Sequence, residues 1–233
     1  MALGLLVGLV ACGRIDFDAR TDAQPGDPSL LAWFPMDDDP SDGAFDASQY
    51  HRDAICDPRC PTSTTGIRGA GFAFDGTQAL ALPSNPALDL VTGTVAFWTR
   101  IDAVPMTYQM IVTRAYQTAQ RNSFEVYDAD NNTLLVDEDA TGGVKPIITT
   151  PSRALGTWEH VAATWDATTL RLFLDGVEVG STPFSTIYDT NVWRLGADFD
   201  DQAVDSFLPG ALDDVRIYNR PLALSEITAL AAP

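Results

Sequence analysis

Gly156-Thr-Trp-Glu-His-Val-Ala-Ala-Thr-Trp-Asp-Ala-Thr-Thr-Leu-Arg-Leu-Phe-Leu-Asp-Gly-Val-Glu-Val-Gly180 and Pro209-Gly-Ala-Leu-Asp-Asp-Val-Arg-Ile-Tyr-Asn-Arg-Pro-Leu-Ala-Leu-Ser-Glu-Ile227 decide the fold. Leu170, Leu172 and Leu174 alternate with Arg171 and Phe173, which is the period of a strand. Asp175-Gly176 then separates two β-rich runs. Asp-Gly signals a hairpin because both central turn positions take φ > 0. Trp158–Trp165 is apolar on both parities, which predicts a strand buried on both faces. Trp158 and Trp165 are expected in the core, where large aromatics supply much of the buried area. His160, in step with Trp158 and Ala162, is expected as a hydrogen-bonded structural histidine.

Working outward, short runs of strand character recur near 30–36, 52–56, 70–75, 79–82, 94–101, 108–113, 122–127, 132–136, 144–149, 192–196 and 210–218. Asp42-Gly43, Asp75-Gly76, Ser84-Asn85-Pro86, Asn131-Asn132 and Gly142-Gly143 lie between them as turn signals. One short helix is expected near 222–230. Many short strands with regular turns predict an all-β antiparallel sandwich. The 233 residues suit one such domain, at 29–233, behind a leader and a tether. The formal charge of -18, with Lys145 the only lysine, argues against a basic patch for nucleic acid or an anionic membrane surface.

Trp158-x-His-Val-Ala-x-x-Trp-Asp166, Leu170-x-Leu-Phe-Leu-Asp-Gly176 and Gly210-x-Leu-Asp-Asp-Val-Arg-Ile-Tyr-Asn-Arg-x-Leu222 come in an order that resembles the laminin-G-like, concanavalin A-like lectin/glucanase family. Leu30–Asp37, Phe45-Asp-Ala-Ser48, Gly69–Gly76 and Gly93–Thr99 fit the same pattern, although the second lacks the family's Gly and Asn. The resemblance covers about residues 29–231. It implies a two-sheet jelly roll and a structural calcium ion. By position, its ligands would be Asp37 or a neighbouring carbonyl, the Gly76 carbonyl and Asp213, with Asp46 and Asp214 as further candidates. Asp213 shares sequence parity with Val215 and Ile217 and is therefore expected to point inward. A buried carboxylate needs an arginine, a hydrogen-bond network or a cation. Sugar-binding members of the family use aromatic and polar side chains on one sheet and its rim. Tyr108, Arg114, Tyr116, Tyr127, Tyr188, Trp193 and Asp198 are the candidates here.

Catalytic motifs are not evident. The glucanases of this fold carry Glu-x-Asp-x-Glu, or a variant with one more spacer, on one strand. Val136-Asp-Glu-Asp139 instead has adjacent acids, which a strand sends to opposite faces. Glu125 and Glu138 are the one carboxylate pair to consider for glycoside hydrolysis. No nucleophile elbow, phosphate loop or zinc-protease helix is present, and there are two histidines.

Met1–Ala11 is apolar, too short to span a bilayer and of signal-peptide length. Leu9-Val-Ala-Cys12 resembles the bacterial lipobox, although no Lys or Arg precedes the apolar run. The resemblance implies lipidation at Cys12, with residues 1–12 as the signal, 13–28 as a polar tether and the domain exported to the cell envelope. Cys56 and Cys60 are expected to form a local disulfide, the alternatives being a metal site or free thiols. The expectation for the whole chain is a non-catalytic carbohydrate-binding domain of a lipoprotein. A module binding a surface protein is the alternative, and a glucanase-like hydrolase is a third.

Overall fold

The computed structural model describes residues 26–104, 108–114, 123–130, 133–139, 147–184, 192–200 and 203–233. Two antiparallel sheets pack across one apolar core, as the alternation predicts. The first sheet runs β13 (Val177–Pro183), β12 (Thr169–Leu174), β11 (Trp158–Trp165), β6 (Gly93–Ile101), β17 (Pro209–Tyr218), β4 (Ala70–Asp75) and β3 (Thr62–Thr65). Strand β1 (Leu30–Phe34) also pairs with β17. The second runs β10 (Ile147–Ser152), β9 (Thr133–Asp139), β8 (Ser123–Ala129), β7 (Tyr108–Arg114), β14 (Trp193–Leu195), β5 (Leu80–Ala81) and β2 (Ile55–Cys56). A hairpin of β15 (Asp198–Asp200) and β16 (Ala203–Asp205) stands apart.

Alternation fills the core from both sides. Val95, Phe97, Val161, Ala163, Trp165, Leu170 and Leu172 come from the first sheet; Phe124, Val126, Leu134, Trp193 and Leu195 come from the second. Trp165 lies 6.4 Å from Trp193 and 4.8 Å from Phe124, ring centroid to centroid. An arginine closes each open end of the sandwich. Arg114 pairs with Asp89 at one end. At the other, Arg153 reaches Asp128 at 2.7 Å and Glu159 at 2.8 Å. Burial pushes the Asp128 carboxyl upward while Arg153 pulls it back.

From His160 to Trp165, β11 is buried on both faces because helix α1 (Leu224–Leu230) covers the outside of the first sheet. Leu222, Ile227 and Leu230 rest there on Ala96, Ala162, Phe173 and Tyr218. The helix starts two residues later than the sequence suggests, where the Ala223 N–H donates to Glu226 and Arg220 grips the same carboxylate at 2.7 and 2.9 Å. Trp158 departs from expectation. It lies half-buried on the outer face at the strand's start, with the Arg100 guanidinium 5.3 Å from its ring centre.

Asp213 also departs, and its reason is a β-bulge. Asp213 pairs with Trp98 and Arg216 with Ala96, so three steps on β17 match two on β6. The extra residue is Asp214, at φ 51°, a left-handed conformation that Asp tolerates better than most residues. The bulge keeps Leu212, Val215 and Ile217 in the core and turns Asp213 to the outer face.

Candidate functional site

Two places on this scaffold gather polar chemistry. The first is the outer face of β6 and β17. The β3–β4 turn, Gly66-Ile-Arg-Gly69, folds over Asp213, whose Oδ2 accepts the Ile67 and Arg68 N–H groups at 2.7 and 3.1 Å. A Cβ on Gly66 would fall 2.5 Å from that oxygen. Asp37 Oδ1 accepts the Ala70 N–H at 2.8 Å on the same turn. Asp214 accepts from Trp33 Nε1 at 2.7 Å and Arg216 Nε at 3.0 Å, and pairs with Arg68. Arg68 also donates to Leu230 O and Ala232 O, which ties the end of α1 to the turn. Burial holds Asp213 up at about 7, with Asp214 and Asp37 adding repulsion against the two N–H donors. His160, edge-on to Trp98 at 5.4 Å, is pushed down to about 3 by burial and by Arg68 and Arg216. It is buried, as a structural histidine would be, without the hydrogen bond expected of it at ring Nδ1. Its backbone N–H donates to Asp175 at 2.8 Å.

Of the expected calcium ligands, this cluster brings together Asp37 and Asp213 but not Gly76. Asp37 and Asp213 share the β3–β4 turn, whereas Gly76 lies past the far end of β4, beside Pro209. Asp46 is already saturated by Trp33 N, Ser48 N, Ser48 Oγ and Arg52 N, all at 2.7–2.8 Å. Calcium takes six to eight oxygens. Among the described residues no three His, Cys, Asp or Glu side chains converge on a metal position.

The second place is the outer face of the seven-stranded sheet. Register aligns one residue from every strand: Ile55, Ala81, Arg194, Thr113, Glu125, Asp137 and Ile147. At the neutral spacing of about 4.8 Å between strands, this row spans roughly 29 Å. Ile55 and Ile147 stand about half exposed at its two ends. Its centre is polar and sunken. Thr113 is fully buried and donates to Ala197 O at 2.9 Å; Glu125 is 7% exposed. Arg194, 6% exposed, donates from Nη2 to Asp57 Oδ2 at 2.8 Å and lies 4.6 Å over the Phe199 ring. Its Nε and Nη1 are buried and have no partner. The loop carrying Asp57 is closed by the expected disulfide, Cys56–Cys60, at S–S 2.03 Å. Tyr108 is 54% exposed at the end of β7 and meets the Tyr127 ring edge-on at 5.3 Å.

The structure therefore separates the candidate ligand residues. Tyr108, Tyr127 and Asp198 belong to this side of the molecule. Trp193 is core, with its Nε1 donating to Leu88 O at 3.1 Å, and Arg114 is the core-closing partner of Asp89. Tyr116, Tyr188 and Cys12 lie outside the described residues. Glu125 and Glu138 are not partners in register: Glu138 pairs with Phe124, and Asp137 with Glu125. Arg194, Thr113 and Phe199 escape the sequence reading. A charged residue between Trp193 and Leu195 was the available signal, since alternation sends it outward.

The sequence model of the Concanavalin A-like lectin/glucanases superfamily matches residues 74–228. No curated protein matches the chain. Domain 4 of AbnA, a GH43 extracellular arabinanase from Geobacillus stearothermophilus solved with arabinotriose, superposes with a TM-score of 0.68 at 18% identity, covering 88% of this chain and 98% of that one. The CBM40 of Ruminococcus gnavus IT-sialidase, bound to alpha2,3 sialyllactose, gives 0.60 at 16%, covering 70% and 96%. The binding domain of Paraclostridial Mosquitocidal Protein 1 gives 0.69 at 14%, covering 87% and 52%.

Proposed function

Because the chain belongs to the Concanavalin A-like lectin/glucanases superfamily, we propose that the outer face of its seven-stranded sheet binds carbohydrate without cleaving it. Arg194 is the observation that carries this reading: a guanidinium buried at the centre of the face, with two unpaired N–H groups. Unpaired buried donors are costly, and sugar hydroxyls are good acceptors for them. Thr113 stands next to Arg194 in register and Glu125 one strand further on, and apolar or aromatic side chains, Ile55, Ile147 and Tyr108, rim the face. A sunken polar centre with an apolar rim suits a ring that carries hydroxyls on its edge and C–H groups on its faces. Two similar domains were solved with oligosaccharides, which agrees with this reading.

A printed glycan array tests it. The wild-type chain is expected to retain a defined set of oligosaccharides, and Arg194→Ala to lose them about tenfold or more, the effect of one buried charged hydrogen bond. The released-sugar assay on the same glycans is expected to stay blank. A blank array with selective capture of a surface protein would move the function to protein adhesion, and sugar release would move it to hydrolysis.

A further inference from the structure

The row across the seven-stranded sheet continues past its β2 end. Ala44 pairs with Ala54, and both are buried in the core. Alternation then sends Phe45 away from the core, to the side where Ile55 stands. Phe45 is 51% exposed and Ile55 53%. The His51 ring, also exposed, lies 6.1 Å from the Phe45 ring, with the two planes tilted by 36°.

The loop that presents these rings is held from within. Besides the four donors to the Asp46 carboxylate, the Asp46 N–H donates to Asp53 Oδ1 at 2.8 Å. Arg52 donates to Leu31 O at 2.7 Å and lies 4.2 Å over the Tyr50 ring, whose hydroxyl donates to Pro28 O at 2.9 Å. His51 sits at φ 49°, a strained conformation for this residue that persists only when its surroundings fix it. None of these contacts needs Phe45 to face water, and a large aromatic held rigidly in solvent is unexplained by packing.

We propose that Phe45 and His51 form an aromatic subsite that seats a further ring of a glycan lying along the Ile55–Ile147 row. The proposal rests on the reading of that face as a carbohydrate surface. Flat aromatic faces match the C–H face of a sugar ring, and the Asp38 and Asp53 carboxylates beside Phe45 can accept from its hydroxyls. Two rings and an isoleucine are far smaller than the roughly 800 Å² that each partner gives to a standard protein interface. The subsite lies beyond the end of the row, so only longer oligosaccharides reach both.

Calorimetric titration of the full chain with arabinotriose and arabinohexaose, or with the shortest and longest members of whichever array series the wild type retains, tests this. Phe45→Ala is expected to weaken the long ligand about five- to tenfold while leaving the short one unchanged. Phe45→Trp is expected to keep long-ligand affinity, as is His51→Asn in part, since Asn tolerates the left-handed backbone. Arg194→Ala should weaken both ligands. If the wild type binds and Phe45→Ala matches it on the long ligand, the subsite falls and the parent reading stands. If the wild type binds no glycan, both fall.

Discussion

At the residue scale, Asp213 and His160 oppose one another in pH. Asp213 titrates at about 7 in the fold against 3.8 for the free group. From about pH 4 to 7 the native state keeps a proton that the unfolded chain gives up, so Asp213 makes stability fall as pH rises through that window. His160 titrates at about 3 against 6.5. From about pH 3 to 6.5 the unfolded chain binds a proton that the native state refuses, so His160 makes stability rise. The two slopes offset between about pH 4 and 6.5, and the wild type should show little net change from this pair. His160→Gln is expected to leave a stability that falls steadily over that range, and Asp213→Asn one that rises. Urea midpoints at the two ends of the range check both. Equal slopes in the two variants would show that neither group titrates as its burial dictates. Neither behaviour was legible in the sequence. Parity placed Asp213 inward, and only the single extra residue at Asp214 turns it out.

At the scale of elements, strands that alternate or bury both faces were legible, and polar or very short ones were not. Trp158–Trp165, Leu170–Leu174 and the Asp175-Gly176 hairpin follow from period and turn chemistry alone. Thr62–Thr65 contains no apolar residue and is a strand because it pairs with β4 at the sheet edge. Its turn into β4 is the element on which the calcium expectation bears. There the glycines are packed against carboxylates: a Cβ on Gly66 would meet Ala70 O at 2.0 Å and Asp213 Oδ2 at 2.5 Å, and one on Gly69 would meet Asp37 Oδ1. Backbone N–H groups donate to these carboxylates. Gly66→Ala is expected to lower stability by about 1–3 kcal/mol or more, the cost of overpacking a fixed site. Chelation is expected to leave the melting temperature where it is. A drop on chelation, restored by calcium, would overturn this account of the turn.

At the scale of the whole molecule, charge decides which glycans the face can take. The position of the face could not be read from the sequence, because it depends on which side of seven strands faces outward and on how their registers align. Only the register brings Ile55, Arg194, Thr113 and Glu125 into one row. The seven strands carry two arginines, Arg114 and Arg194. Arg114 is spent at the core's end on Asp89, and Arg194 already shares its charge with Asp57. Glu125 stands two strands away in the same row, and the chain as a whole carries -18. An acidic sugar approaching this face meets a repulsive field and, among the described residues of the seven strands, no uncompensated cation, so its carboxylate would lose hydration without an ion pair in return. Neutral oligosaccharides lose nothing of the kind. The wild-type chain is therefore expected to bind uncharged glycans with affinities that change less than about twofold between low and high salt, since screening acts on charge pairs that such ligands do not form. Sialyllactose, which the Ruminococcus gnavus domain of the same fold holds, is expected to bind this chain no better than lactose does. Tighter binding of the sialylated sugar, weakening as salt is added, would show that Arg194 keeps enough charge to recognise a carboxylate and would reverse the assignment of ligand class.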